Sequence, residues 1–369
     1  MQQFFSAPAI FTGETWLNGY AILMKGGRME ALVPQHELPA DARPPAFPGC
    51  IIAPAFIDLQ VYGTQNRLFA SAPTAETLAL MAENFRRQGT LNFLPTVASN
   101  TAAVMKKCMD AVRQYWRNGG EGVLGLHLEG PWINVLKKGA HVTDCIHAPS
   151  AEEVTDLLNY GEGLVKMVTL APEICTREII GLLKSRQIVV SAGHSDAGMA
   201  EAEEGFANGI TAVTHLFNAM SGLHHRNPGL AAAAMANAQV QASIIADGHH
   251  VSFAMITLAK KMMGPRLFAI TDAVAAAEEG LYQHRLAGDH YECNGVLSGS
   301  ALTMHQALLN LVERSGIELD EALRMCSLYP ARVMGLDGHY GRIAAGCEGG
   351  LVVIRQDLSK IERVVSEAG

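Results

Sequence analysis

Four acidic or imidazole side chains fall where short apolar runs stop. Leu124-Gly125-Leu126-His127-Leu128-Glu129 closes on a carboxylate, and Ile188-Val189-Val190 leads through Ser191-Ala192-Gly193 to His194. Thr211-Ala212-Val213-Thr214 ends on His215, and Phe268-Ala269-Ile270-Thr271 ends on Asp272. Two imidazoles and a carboxylate are the donors that hold a catalytic zinc-type cation while leaving one position for water. Such a cation acidifies the water and polarises the carbonyl it attacks. Asp272 can take the water's proton and return it to a leaving nitrogen. One histidine near a strand end is more often a hydrogen-bonded structural residue; four such groups at four ends favour a metal-assisted hydrolase. His127, two residues before Glu129, shares its face of a strand and is expected to support the site or fill the core.

These groups can meet only if their runs are parallel strands of one sheet. From Ile51 onward the chain alternates apolar runs with helical stretches such as Thr74 to Arg87, Thr101 to Trp116, Thr176 to Ser185 and Ser252 to Met263. Counting Ile51 to Tyr62 as the first gives eight strands, the pattern of a (β/α)8 barrel with its site at the C-terminal strand ends. A doubly wound open sheet would need a glycine-rich phosphate turn after an early strand, and none is present. Both chain ends have another texture. Ala21 to Met24, Met29 to Val33, Gly341-Arg342-Ile343 and Leu351 to Ile354 are short β-like pieces broken by glycine. Residues 1–50 and 340–369 are therefore expected to pair into one small sheet domain, the alternative being two unrelated edge hairpins, with 51–339 forming the barrel.

Composition narrows the partners. At 49% hydrophobic and 17% charged residues, the 369-residue chain is a well-filled globular protein. A formal charge of -8 argues against nucleic acid or an acidic membrane as the main partner. The seven cysteines form no Cys-x-x-Cys pair, which suits reduced thiols in a cytoplasmic protein. No signal peptide and no transmembrane segment is expected.

Taken together, His127-Leu128-Glu129-Gly130-Pro131-Trp132, Gly193-His194-Ser195, Thr214-His215-Leu216-Phe217-Asn218-Ala219-Met220 and Asn227-Pro228-Gly229-Leu230 resemble the N-acetylglucosamine-6-phosphate deacetylases of the amidohydrolase superfamily. So do Ile245 to Val251, Thr271-Asp272-Ala273 and Leu297-Ser298-Gly299-Ser300, in the same order along the chain. The resemblance implies a (β/α)8 TIM-type barrel with a small β-sandwich built from both termini. It implies hydrolysis of the acetamide of an N-acetylhexosamine 6-phosphate to acetate and the free amino sugar phosphate. Glu129, His194 and His215 would be the metal ligands, Asp272 the general base and acid, and His141 a polariser of the acetamide carbonyl. Ala140, Asn218, Ala219, Leu297, Ser298 and Gly299 would line the sugar. Arg226 and His250 would hold the phosphate, one or both across the interface of a homodimer or higher oligomer.

The sequence departs from the superfamily at the first strand, where a second metal is often held by His-x-His. Asp58 and Gln60 stand at those two positions, and a neutral amide oxygen is a poor zinc ligand beside an imidazole. Nor does the fourth strand end in a lysine; it runs into Ala171-Pro172-Glu173. One divalent metal per subunit is expected, Zn2+ by default, with Fe2+ or Mn2+ compatible with the same donors. The alternatives are deacetylation of the galacto epimer, N-acetylgalactosamine 6-phosphate, or a sugar-phosphate-binding barrel without catalysis. The intact four-residue set argues against the last. A cyclic-amide hydrolase such as a dihydropyrimidinase would want the missing His-x-His and lysine. Lys137-Lys138 is read as a solvated pair.

Overall fold

The computed structural model describes residues 2–39, 42 and 46–366. The remaining positions belong to the two terminal segments assigned above to the small domain and lie outside the described residues. Eight parallel strands form one sheet in chain order: Phe56–Val61, Thr90–Ala98, Leu126–Glu129, Val165–Leu170, Val189–Ala192, Ala212–Val213, Gln241–Ile245 and Leu267–Ile270. The sheet closes on itself at its C-terminal rim. Asp272 N–H donates to the Gln60 carbonyl at 3.0 Å, and Tyr62 N–H to the Ala273 carbonyl at 2.8 Å. The strands are apolar because side chains fill the barrel on one face and helices cover the other. Those helices begin where the sequence offers a cap: the hydroxyls of Thr74, Thr101, Ser150 and Thr176 each accept a backbone N–H from the first turn.

The chain ends build two further sheets. Ile361–Val365, Leu351–Arg355, Cys50–Pro54, Ala9–Phe11 and Trp16–Leu17 form one; Gln2–Ser6, Tyr20–Lys25 and Arg28–Pro34 form the other. Gly26 and Gly27, at φ 58° and 77°, supply the left-handed pair that a two-residue hairpin needs. A separate core that includes Phe5, Ile10, Ile22, Met29, Ile52, Val353 and Val365 lies between the sheets. The molecule is thus a (β/α)8 barrel carrying a small β-sandwich made from both termini.

The strand expected over Ile51 to Tyr62 is two strands. Cys50–Pro54 pairs with Leu351–Arg355 and Ala9–Phe11 in the sandwich, whereas Phe56–Val61 belongs to the barrel. The partner changes within one residue: Ala55 N–H donates to the Gly350 carbonyl and Phe56 N–H to the Gly89 carbonyl, both at 2.9 Å. Gly341-Arg342-Ile343 is a bend rather than a strand. Its Ile343 N–H donates to the Thr12 carbonyl at 2.8 Å, and the side chain enters the sandwich core.

After the eighth strand the chain makes an antiparallel three-stranded sheet, His284–Ala287, His290–Cys293 and Val296–Ser300, whose last strand returns to the rim. There Ser300 N–H donates to the Asp272 carbonyl at 3.0 Å. All seven cysteines are free thiols. No helix among the described residues is long and apolar enough to cross a membrane.

Candidate active site

Glu129, His194, His215 and Asp272 converge at the C-terminal rim, each buried and each just past or at the end of its strand. His194, His215 and Asp272 take left-handed backbone angles, φ 48°, 35° and 53°. A left-handed non-glycine residue costs about 1 kcal/mol or more, and such residues cluster where a side chain must be aimed. Here each turns its side chain from the barrel wall into the mouth. Gly193 makes the turn at His194 possible, because a Cβ there would stand 2.7 Å from Thr169 Cγ2 and 3.0 Å from Thr214 Cβ.

Three donor atoms face one point. Glu129 Oε1 lies 3.0 Å from His215 Nε2 and 3.3 Å from His194 Nε2, and the two ring nitrogens are 3.1 Å apart. Ligands on a tetrahedral cation at about 2.1 Å stand roughly 3.4 Å from one another, so the triangle fits a zinc-type ion. The protons agree for His194. Its Nδ1 is 2.8 Å from the Lys137 carbonyl, which only accepts, so Nδ1 carries the proton and Nε2 the lone pair. His215 is held by its backbone N–H to Ser243 Oγ at 2.8 Å, and its Nδ1 is buried without a partner among the described residues.

Glu129, His141 and His194 also present one donor each within 4.8 Å of one another, which makes His141 a rival ligand. Hydrogen bonding separates it from the other two. Ser99 N–H donates to His141 Nδ1 at 3.2 Å, and the Ser99 hydroxyl lies 2.7 Å from the same nitrogen. Nδ1 therefore carries the lone pair, and burial keeps the ring neutral by pushing its pKa down to about 4. The proton sits on Nε2, which donates to Glu129 Oε2 at 3.2 Å. His141 is a donor aimed into the site.

Gln60 and Tyr62 complete the floor. The Gln60 amide nitrogen is 2.7 Å from Asp272 Oδ1 and 2.9 Å from both Glu129 Oε1 and the Tyr62 hydroxyl. The Tyr62 hydroxyl donates to Glu129 Oε2. Asp58 faces away from the mouth: it accepts from the Thr271 hydroxyl and from the backbone N–H groups of Thr271 and Gln60, both at 3.2 Å. Burial raises the Asp58 pKa to about 6. Burial also acts to raise Glu129, but its imidazole neighbours, His194 foremost and then His141 and His215, outweigh it and hold that carboxyl well below the usual range. Asp272 goes the other way, pushed well above the usual range by burial and then by the Glu129 and Asp58 charges. His127 lies in the barrel core, its ring nitrogens against the Leu59 carbonyl at 3.1 Å and Thr169 Oγ1 at 2.8 Å.

A cavity of about 640 Å³ opens over these groups. Ala140, His141, Asn218, Ala219, His250, Leu297 and Ser298 all stand on its wall, beside Glu129, His194, His215 and Asp272. Gly299 is not among the lining residues; a Cβ there would stand 2.6 Å from Val274 Cγ1 and 3.1 Å from the Asp272 carbonyl oxygen. Arg226 is exposed and is not among the lining residues. Indeed none of the described lining residues is lysine or arginine. Lys137 pairs outside the cavity with Asp196 at 3.2 Å.

Several contributors escape the sequence reading. Tyr62 could have been found as the third alternate residue after Asp58 and Gln60. Tyr282 and His284, which line the cavity, come from a segment with no helical or strand rhythm. Glu173 braces the turn after His194, accepting from the Ser195 hydroxyl and Asp196 N–H at 2.7 Å each and from Asn134 Nδ2 at 2.9 Å.

Known proteins share this architecture over its whole length. The profile of the amidohydrolase family matches residues 51–367, and that of the NagA composite domain residues 7–51. The N-acetylglucosamine-6-phosphate deacetylase of Haemophilus influenzae is 32% identical over 97% of this chain and 96% of its own. The N-acetylgalactosamine-6-phosphate deacetylase of Escherichia coli O157:H7 is 30% identical over 95% of each. The crystal structure of N-acetylglucosamine-6-phosphate deacetylase from Pasteurella multocida superposes with a TM-score of 0.94 at 31% identity, covering 100% of this chain and 98% of that one. With its barrel, its composite terminal domain and its full-length likeness to these enzymes, the chain belongs to the amidohydrolase family, among the N-acetylglucosamine-6-phosphate deacetylases.

Proposed function

We propose that the protein hydrolyses the acetamide of N-acetyl-D-glucosamine 6-phosphate, releasing acetate and D-glucosamine 6-phosphate. The observation that carries this reading is the meeting of the Glu129, His194 and His215 donors with Asp272 and the His141 donor at one end of a cavity sized for an amino sugar phosphate. Glu129, His194 and His215 would hold one divalent cation, Zn2+ by donor type. Bound there, the cation supplies Lewis acidity toward the acetamide carbonyl and lowers the pKa of the attacking water.

The chain's own groups do the rest. His141 Nε2–H turns from Glu129 to the acetamide oxygen and stabilises the charge that develops on it. Asp272 takes the water's proton and returns it to the departing sugar nitrogen. Gln60 keeps Asp272 oriented through Oδ1. Because the amide protons of Gln60 already point at Asp272 and Glu129, the place between those carboxylates suits a donor rather than a second cation. Ala140, Asn218, Ala219, Leu297, Ser298 and Gly299 shape the sugar site.

His250 faces the phosphate. A phosphate dianion wants a guanidinium as well, and a cavity wall without lysine or arginine supports supply of Arg226 by a second subunit of a homodimer or higher oligomer. The strands up to Pro54 and from Leu351 onward act as the small domain and the eight-stranded sheet from Phe56 as the barrel, in a cytoplasmic enzyme with no nucleic-acid or membrane partner. Asp272→Asn tests the chemistry. It should keep its metal and lose turnover by at least about a hundredfold, the usual worth of a positioned proton carrier. Near-normal turnover with metal bound would remove Asp272 from the mechanism.

A further inference from the structure

A second cluster of metal-type donors lies on the rim, outside the site described above. His249 follows the seventh strand, and Asp289 and His290 form the tip of the hairpin between His284–Ala287 and His290–Cys293. One donor atom from each lies within 4.8 Å of the other two. His249 Nε2 is 2.9 Å from Asp289 Oδ1, and His290 Nδ1 is 3.5 Å from the same oxygen. The two rings stand 4.8 Å apart at 36°.

A bland account would be a surface ion pair beside two packed rings. It leaves one atom poorly satisfied: His290 Nδ1 is buried, and Asp289 Oδ1 at 3.5 Å stands beyond good hydrogen-bond distance. Its other nitrogen, Nε2, faces Glu292 Oε1 at 3.7 Å. With a cation on Nδ1, that carboxylate would hold the proton on Nε2, the arrangement that orients histidines toward metals. His249 is aimed from a fixed loop, because Asp247 Oδ1 accepts the backbone N–H groups of His249 at 2.9 Å and His250 at 2.8 Å. Asp289 is ionised at neutral pH, its carboxyl held below the usual range by the hydrogen bond from His249.

We propose that His249, Asp289 and His290 form a second, peripheral site for a borderline divalent transition ion such as Zn2+, which ties the 284–300 hairpin to the loop that carries His250. Two imidazoles and one carboxylate select such an ion over Mg2+ or Ca2+, which prefer all-oxygen shells. The site is solvent-accessible, with side-chain exposures of 36%, 79% and 25% for His249, Asp289 and His290, so it fills and empties with the surrounding metal. The elements it joins both contribute to the cavity wall, His250 on one side and His284, Leu297 and Ser298 on the other. Occupancy would therefore stiffen the rim over the cavity. That consequence for catalysis rests on the function proposed above; the binding itself does not.

The test is calorimetric titration of Zn2+ into protein already loaded with one metal equivalent, followed by metal analysis. The wild type should take up a second, weaker equivalent. His249→Ala and His290→Ala, substitutions at accessible positions on two separate elements, should each lose that equivalent and keep the first. Amide exchange across residues 284–300 should slow with added Zn2+ in the wild type and stay unchanged in His290→Ala. A wild type that binds one equivalent only, or a second equivalent that survives in both variants, would overturn the site. Uptake that is lost in the variants while hairpin exchange is unchanged in the wild type would overturn the tie.

Discussion

Gln60 is the residue on which the proposed one-metal centre turns. Its position on the first barrel strand, two after Asp58, was legible because strand side chains alternate. What it does there was not, because the carboxylates it touches are 69 and 212 residues away along the chain. The same holds for tautomers. That His194 offers Nε2 while His141 donates from Nε2 follows from the Lys137 carbonyl and the Ser99 N–H, neither of which the motifs announce. Nor do motifs show that His194, His215 and Asp272 are left-handed. Tyr62 gives a prediction at this scale. Its hydroxyl supports Glu129 Oε2, so Tyr62→Phe should weaken the metal by about ten- to a hundredfold, the usual cost of losing a group that orients a ligand. Competition against a chelator of known affinity measures it; unchanged affinity would show that His141 and Gln60 suffice to orient Glu129.

Among the elements, the barrel strands were readable because they are short apolar runs, four of which lead to an acidic or imidazole residue at the rim. Ile51 to Tyr62 resisted for a physical reason: nearly all of it is buried, first in the sandwich and then in the barrel, so nothing in its polarity marks the change of partner. The hairpin of residues 284–300 was missed because an exposed, polar flap carries no core-facing period. Its one deeply held histidine, His284, sits against Ser298 Oγ at 2.8 Å, and burial pushes its pKa down from 6.5 to about 4. The folded state therefore resists protonating His284. Its contribution to stability is complete above pH 6.5 and is lost as the pH falls toward 4, by up to about 3 kcal/mol. His284→Gln should flatten the fall of the denaturation midpoint across that window, and an unchanged slope would mean that the ring is hydrated in solution.

For the whole molecule, the fold, the family and the convergence of four groups were legible in one sequence, whereas Arg226 as the phosphate's cation came only through the resemblance. A net charge of -8 and a cavity wall without lysine or arginine leave a dianionic substrate in need of a cation. Arg226 projects from an exposed loop of the same rim, which makes it available to a neighbouring copy. Arg226→Ala should raise KM for a phosphorylated substrate while leaving kcat within a fewfold. An unchanged KM would mean that His250 and backbone groups carry the phosphate within one chain.

The most direct measurement is acetate release from N-acetylglucosamine 6-phosphate, beside its galacto epimer and unphosphorylated N-acetylglucosamine, with metal counted on the same sample before any is added. Preferential release from the gluco phosphate, at about one tightly held metal per chain, is the result expected from the Glu129, His194, His215 and Asp272 centre. No release from any of the three by protein that holds its metal would contradict the account, and preference for the galacto epimer would keep its chemistry while replacing its substrate.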